Sequence, residues 1–294
     1  MAGTVSAMHY RKKFLVEPDS RVRLNKVDPG YRGKSILHGD APALVQDAVA
    51  RMDHGQYLLY ASARKSLLIV LQGPDAAGKD GVIRHLFTGL NPQGTTVHRF
   101  TQPTREQMAH DFLWRVHSCA PAKGEIAVFN RSHYEDVLVT RVHKLVPRRE
   151  CFARFEAIND FERQLHRNGT SILKFYLHIS PDEQLERFRR RLDDPMRNWK
   201  ISESDYLERE FWPKYVHAYE EVFERTSTKH SPWFVIPSNY KWFRDLAISE
   251  IIASTLEGMK LRPPAPSVDL DDIKQRFHHA ETEEPELERE TGLT

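Results

Sequence analysis

The stretch "KSLLIVLQGPDAAGKDG", residues 65–81, restricts the fold more than any other part of the chain. Its first half is continuously apolar, without the alternation of a half-wet strand, so it reads as a central parallel strand covered on both faces. Gly73 and Gly78 then bound a short loop that ends at Lys79 and fits the phosphate-cradling pattern GxxxxGK. Glycines let such a backbone turn its amide hydrogens inward, the following helix adds its positive end, and the lysine adds a point charge. Gly73, Ala76, Ala77, Gly78 and Gly81 are therefore candidate phosphate-binding positions, with Lys79 as a catalytic cation. The pattern breaks at one place: Asp80 stands where a serine or threonine hydroxyl normally meets magnesium. Asp75 and Asp80 would repel a polyphosphate group unless metal ions or protons intervened, which makes both candidate ligands for Mg2+, with Mn2+ as a substitute. Each has a second reading. Asp75 would orient an acceptor phosphate, and Asp80 would be a first-turn carboxylate favoured by the helix dipole.

The same alternation recurs downstream. A helix capped by Asp40 carries Leu44, Val45, Ala48, Met52, Leu58 and Leu59 as its apolar stripe and precedes the first strand. A helix from Lys79 to Leu90 follows the loop, then a strand over 95–100, a helix over 104–118, a strand over 125–130 and helices across roughly 132–168. Two more strands, 171–179 and 233–237, flank a long charged helical region, and a last helix starts near Lys241. Five strands interleaved with helices imply an α/β fold, a five-stranded parallel sheet with right-handed crossovers. Its ligand end is the carboxyl ends of the strands, where the glycine loop lies. Residues 1–40 show no sustained period and are expected to wrap the surface as an extension of a domain over 41–262. The tail over 263–294, opening with "RPPAP" and ending "AETEEPELERETGLT", reads as extended and partly disordered.

Composition removes several function classes. A net charge of +2 argues against a general nucleic-acid binder. No apolar run approaches the roughly 20 residues that span a bilayer, and the first residues lack the order of a signal peptide, so a cytoplasmic protein without membrane contact is expected. Cys119 and Cys151 have no CxxC spacing and read as free thiols.

Two further segments carry chemistry. In "EIAVFNRSHYEDVL" the strand ends in Asn130, where phosphate-loop enzymes usually place an aspartate that supports magnesium. Arg131 follows and is a candidate clamp on a transferring phosphoryl group. Asn130, His133, Tyr134, Glu135 and Asp136 are candidates for the nucleotide side. Glu135 and Asp136 read equally as a solvated helix surface, and Tyr134 equally as core. The segment "ERFRRRLDDPMRNWK" supplies Arg187, Arg189, Arg190, Arg191 and Lys200 as candidate polyphosphate ligands on a helical lid over about 182–205, hinged where Asp193, Asp194 and Pro195 break the helix. An exposed charged helix is the alternative.

Taken together, "GPDAAGKDG", "FNRSHYEDVL" and "RFRRRLDDPMRNWK" closely resemble the polyphosphate kinase 2 family, over about residues 35–262. The resemblance implies a phosphate-loop fold like that of nucleoside monophosphate kinases with a helical lid. It also implies transfer of phosphate between inorganic polyphosphate and nucleotides, and a homo-oligomer. By position it makes Asp75, Lys79 and Asp80 loop and magnesium residues, Arg131 a phosphate contact, and Arg189 or a neighbour a lid residue. The form "NRSHYED" resembles the branch that accepts both AMP and ADP, class III, with guanine nucleotides as further candidates. Two other functions fit the same residues: an ATP-dependent nucleoside or nucleotide kinase, and a noncatalytic polyphosphate- or RNA-binding protein.

Overall fold

The computed structural model describes residues 10–33 and 38–278. The chain divides into two compact units, residues 1–261 and 262–294. The first contains β1 (Leu15–Val16), α1 (Ala41–Ser62), β2 (Ser66–Gln72), α2 (Lys79–Leu86), β3 (Thr95–Arg99), α3 (Arg105–Met108), α4 (Trp114–His117) and β4 (Ile126–Asn130). After these come α5 (Glu135–Val142), α6 (Arg148–Arg167), β5 (Thr170–His178), α7 (Pro181–Leu192), α8 (Glu203–Arg209), α9 (Trp212–Thr226), β6 (Trp233–Pro237) and α10 (Lys241–Gly258). The strands form one six-stranded sheet in the order β1-β6-β5-β2-β4-β3.

The five expected strands are all present and mutually parallel. The sixth, β1, pairs antiparallel with β6, placing Leu15 opposite Phe234 and Val16 opposite Trp233. Residues 10–24 therefore do more than wrap the surface, since Tyr10, Phe14, Val16 and Leu24 are all buried. The sequence offered no sign of this, because a two-residue strand is too short to show a period.

Alternate residues of the central strands feed two apolar layers, as a pleated sheet covered on both faces requires. Leu67, Ile69 and Leu71 of β2 pack with Met52 and Leu59 of α1 and with Leu246 and Ile251 of α10. Leu68 and Val70 face the other way, toward Val137, Phe155, Ile158 and Phe223 on α5, α6 and α9. On α1 the buried residues are Ala41, Ala48, Met52, Gly55, Gln56 and Leu59, while Leu44 of the expected stripe is 39% exposed. Asp40 precedes this helix without a side-chain capping bond.

Elsewhere the helices are shorter than their patterns suggest. The expected helix over 104–118 is two short ones, because the Asp111 carboxylate accepts from the Leu113 amide and turns the chain between them. α7 starts at a serine cap, where Ser180 Oγ accepts from the Glu183 amide, and stops at Leu192 before the Asp-Asp-Pro break. A 3-10 turn at Asn198–Lys200 and α8 complete the segment read as a lid. In the second unit residues 270–278 are helical, so this part of the tail is not extended. The remainder of the tail, 279–294, lies outside the described residues.

Candidate active site

Topology puts two loops side by side. β2 is flanked by β5 on one edge and β4 on the other, so the order in which strands are added reverses there, the position at whose strand ends such sheets bind ligands. Leu71 pairs with Asn130, and the Arg131 amide continues the ladder onto Leu71 O at 3.0 Å. The glycine loop and the "NRSHYED" turn therefore leave the sheet from adjacent positions.

The glycine loop needs left-handed backbone. Gly78 has φ of 109°, and a β-carbon placed there would come within 2.0 Å of the Arg244 guanidinium, so only glycine fits. Ala76 takes φ of 62° without that freedom, a strain paid where function concentrates. Lys79 Nζ lies across the loop, donating to Gly73 O at 2.7 Å and Pro74 O at 3.1 Å. Burial, joined by repulsion from Arg131, pushes this ammonium down to about 8.

Side chains behind the loop hold its carbonyls. Arg187 donates through Nη1 to Ala76 O and Ala77 O at 2.8 and 2.9 Å, and through Nη2 to Asn239 O at 3.1 Å. Gln184 Nε2 donates to Asp75 O at 2.9 Å. Arg187 is thus a correction to the expected set of phosphate ligands. It is 6% exposed and its donors are spent on backbone, with Glu183 Oε1 taking Nε at 2.7 Å. Gln184 and Arg244 were missed. Neither carries a sequence signal, since their role comes from packing against the loop's outer side.

The charged groups of the crevice pair with one another. Arg131 sits at φ of 60° and its Nη2 donates to Asp75 Oδ1 at 2.6 Å, while its Nη1 lies 3.7 Å from Glu135 Oε2. Burial raises the Glu135 carboxyl above its ordinary value, against the pull of Arg131 and Lys79. With the Gln72 amide oriented to suit its neighbours, Nε2 donates to Glu135 Oε1 at 3.0 Å and the oxygen accepts from Ser132. Asp80, whose side chain is 66% exposed, accepts from Asn130 Nδ2 at 2.8 Å and lies 3.6 Å from Lys200 Nζ of the lid segment. Its modest burial would raise its carboxyl, but the Asn130 bond and the Lys200 and Lys79 charges hold it below the ordinary range. Asp75, Lys79, Asp80, Asn130, Arg131, Glu135 and Lys200 therefore converge from three separate sequence segments.

Three other expected residues face elsewhere. His133 and Tyr134 expose no surface at all, so neither offers a ring to a nucleotide base: they point inward to Glu162 of α6 and Lys174 of β5. Asp136 turns to Arg115 at 3.3 Å and to Arg154 at 3.9 Å, tying α5 to α4 and α6. On α7, Arg189 and Arg190 share Glu186 Oε1 at 2.8 Å each, with 66% and 59% of their side chains exposed. Arg191 lies 5.6 Å over the Phe188 ring.

A strand, a glycine-bounded turn with its lysine, and an arginine at the adjoining strand end define a phosphate-loop phosphotransferase. The chain belongs to the polyphosphate kinase 2 family, whose family model matches residues 44–264. Among similar proteins, an AMP/ADP-polyphosphate phosphotransferase of Meiothermus ruber is 46% identical over 258 residues, covering 87% of this chain and 96% of that one. An ADP-polyphosphate phosphotransferase of Rhodopseudomonas palustris is 44% identical, covering 86% of this chain and 92% of that protein. The crystal structure of polyphosphate kinase 2 from Arthrobacter aurescens TC1 superposes with a TM-score of 0.86 at 39% identity, over 90% of this chain and 98% of its own. Among the described residues no helix is long and apolar enough to cross a membrane.

Proposed function

We infer that the protein transfers a phosphoryl group between inorganic polyphosphate and adenine nucleotides, accepting AMP as well as ADP. The observation that carries this reading is the convergence on Asp80: a carboxylate replaces the usual hydroxyl and is bridged both to Asn130 at the end of β4 and to Lys200 of the arginine-rich segment. The Asp80 position together with the unusually dense arginine segment weighs against an ATP-dependent monophosphate kinase. The reading is further supported by the similarity to relatives named for polyphosphate phosphotransfer.

One phosphoanhydride is exchanged for another of similar energy, so the reaction runs in both directions without a covalent enzyme intermediate. Its demands on the chain are positioning and charge neutralisation. The loop amides of Gly73, Ala76, Ala77, Gly78 and Gly81 and the Lys79 ammonium hold phosphate oxygens. Arg131 leaves Asp75 to clamp the transferring group, and the acceptor's terminal phosphate, already an anion, attacks in line without a strong base. Arg189, Arg190 and Arg191 line the path of the polyphosphate chain.

Magnesium suits this donor set. The ion keeps several waters and takes one or two protein carboxylates together with substrate phosphates. The exposed Asp80 carboxylate would hold such an ion, with Asp75, which here pairs with Arg131, as the second carboxylate able to do so. Among the described residues no three His, Cys, Asp or Glu side chains gather into a cage, so the other ligands would be phosphate oxygens and waters. When bound, the ion offsets the charge of the phosphates brought together. Mn2+ would substitute. A homo-oligomer in the cytoplasm, with no nucleic-acid partner, completes the reading, and guanine nucleotides are secondary acceptors.

The test is direct. Purified protein with magnesium, long-chain polyphosphate and either AMP or ADP is expected to yield ADP and ATP, resolved by chromatography, only when polyphosphate is present. Transfer from ATP to a monophosphate without polyphosphate would reject the donor and keep the loop. Reversing the charges of Arg189, Arg190 and Arg191 to glutamate is expected to raise KM for polyphosphate by about tenfold or more, the equivalent of losing one charge-assisted contact. KM for ADP should hardly move; an effect confined to the nucleotide would assign the lid to the other substrate.

A further inference from the structure

Behind the "NRSHYED" turn lies a charged cluster that none of the roles above uses. Glu162 Oε1 accepts from the Tyr134 hydroxyl at 2.8 Å and faces His133 Nε2 at 3.3 Å. Its other oxygen accepts from Lys174 Nζ at 2.6 Å and from the Ser231 hydroxyl at 2.7 Å. Lys174 also donates to the Tyr134 hydroxyl at 2.9 Å and to Thr226 O at 2.7 Å. Tyr134 packs edge-on against Trp233 with ring centres 4.8 Å apart, and Trp233 Nε1 is in turn bound to Thr226 Oγ1. Tyr134, His133, Glu162, Lys174 and Ser231 are all fully buried.

Stability alone does not account for this arrangement. Taking a lysine and a glutamate out of water costs about as much as their attraction returns, and apolar replacement of such pairs is often neutral or stabilising. Lys174 stands between Ile172 and Tyr176 on one face of β5, where another apolar side chain would complete the layer. What an apolar side chain lacks is direction. The Tyr134 hydroxyl meets both charges, and Tyr134 is the residue from which α5 starts, immediately before Glu135. On the other side of the turn is Arg131, held in a left-handed conformation. Ser132 completes the turn, accepting from the Tyr134 amide at 3.2 Å.

We propose that Glu162 and Lys174 are positioning residues for phosphoryl transfer: by gripping the Tyr134 hydroxyl they set where Arg131 and Glu135 stand over the glycine loop. Neither touches substrate. Their effect passes through the turn, and a displacement near 1 Å at reacting groups is enough to cost about 10²-fold in rate. The kinetic side of this inference rests on the phosphotransferase reading, whereas its structural side does not.

Two substitutions separate positioning from general softening of the core. Tyr134→Phe removes one hydroxyl and leaves Glu162 and Lys174 paired with each other. Ser231→Ala removes a hydrogen bond to the same carboxylate from the side away from the turn. Tyr134→Phe is expected to lower kcat for ADP and polyphosphate about tenfold with KM values within about twofold of wild type, whereas Ser231→Ala keeps the wild-type kcat. Amide hydrogen exchange over residues 130–136 should quicken in Tyr134→Phe and not in Ser231→Ala. Wild-type kcat and protection in Tyr134→Phe, or equal losses in both variants, would overturn the proposal. Should the wild-type protein transfer no phosphate from polyphosphate, the activity reading falls by itself, and the exchange comparison still decides whether the hydroxyl holds the turn.

Discussion

Replacing Lys79 with alanine is expected to lower kcat by about 10²–10³-fold, the range seen when one preorganised electrostatic contact is lost, without lowering the unfolding midpoint. The asymmetry follows from where the ammonium sits. Its ordinary value of 10.5 is pushed down to about 8, chiefly by burial. In the ligand-free protein the charge is therefore held at a cost, present below pH of about 8 and relieved as the group deprotonates above it. Removing that charge removes the cost along with two bonds to loop carbonyls, at Gly73 and Pro74. Bound phosphates reverse the balance, since they supply the negative charge that burial denies. Turnover near that of wild type would mean that the loop does not hold the transferring phosphates.

Lys174→Met is expected to bring a large loss of stability, which Lys79→Ala does not. Breaking a buried pair while one charge stays behind costs about 3–5 kcal/mol, which for a unit of this size lowers the midpoint by roughly 10 °C. Glu162 would remain fully buried, keeping His133 and the hydroxyls of Tyr134 and Ser231 but no cation as strong as the lost one. Pairing the change with Glu162→Gln leaves no buried carboxylate and keeps an oxygen for the Tyr134 hydroxyl. The double variant should therefore recover part of the loss, read by thermal or urea unfolding of both single variants and the double. If the losses simply add, the two groups do not depend on each other as the 2.6 Å contact implies.

The parts of the molecule that could be read beforehand are those in which sequence pattern and physical environment coincide. The core strands are visible because a strand covered on both faces must be apolar throughout, as Leu67–Leu71 are. The glycine loop is visible because its backbone angles admit few residues. The "NRSHYED" turn lacks any such period. Ser132, His133 and Tyr134 all face inward in succession, which neither a helix nor a strand would do, so no spacing rule assigns Tyr134 to the core and Glu135 to the crevice. On α7 the period was legible but not the direction of its polar residues: Arg187 is spent on loop carbonyls while Arg189 and Arg190, two and three residues further along, stay exposed. Lys174 was the overlooked signal, because a lysine inside an apolar run needs a buried partner.

The two-residue strand β1 bears on how the chain is bounded. The segment that matches the family begins at residue 44, yet Tyr10, Phe14, Val16 and Leu24 supply core side chains from before it, each contributing about 1.5–3 kcal/mol on burial. Val16 and Leu15 also cap the rim of β6, which would otherwise present unpaired amides and carbonyls to a neighbouring chain. The family model's boundary and the boundary of the folded sheet thus fall at different places along this polypeptide: the matched segment begins after the amino-terminal arm, but it is the arm that seals the sheet against association.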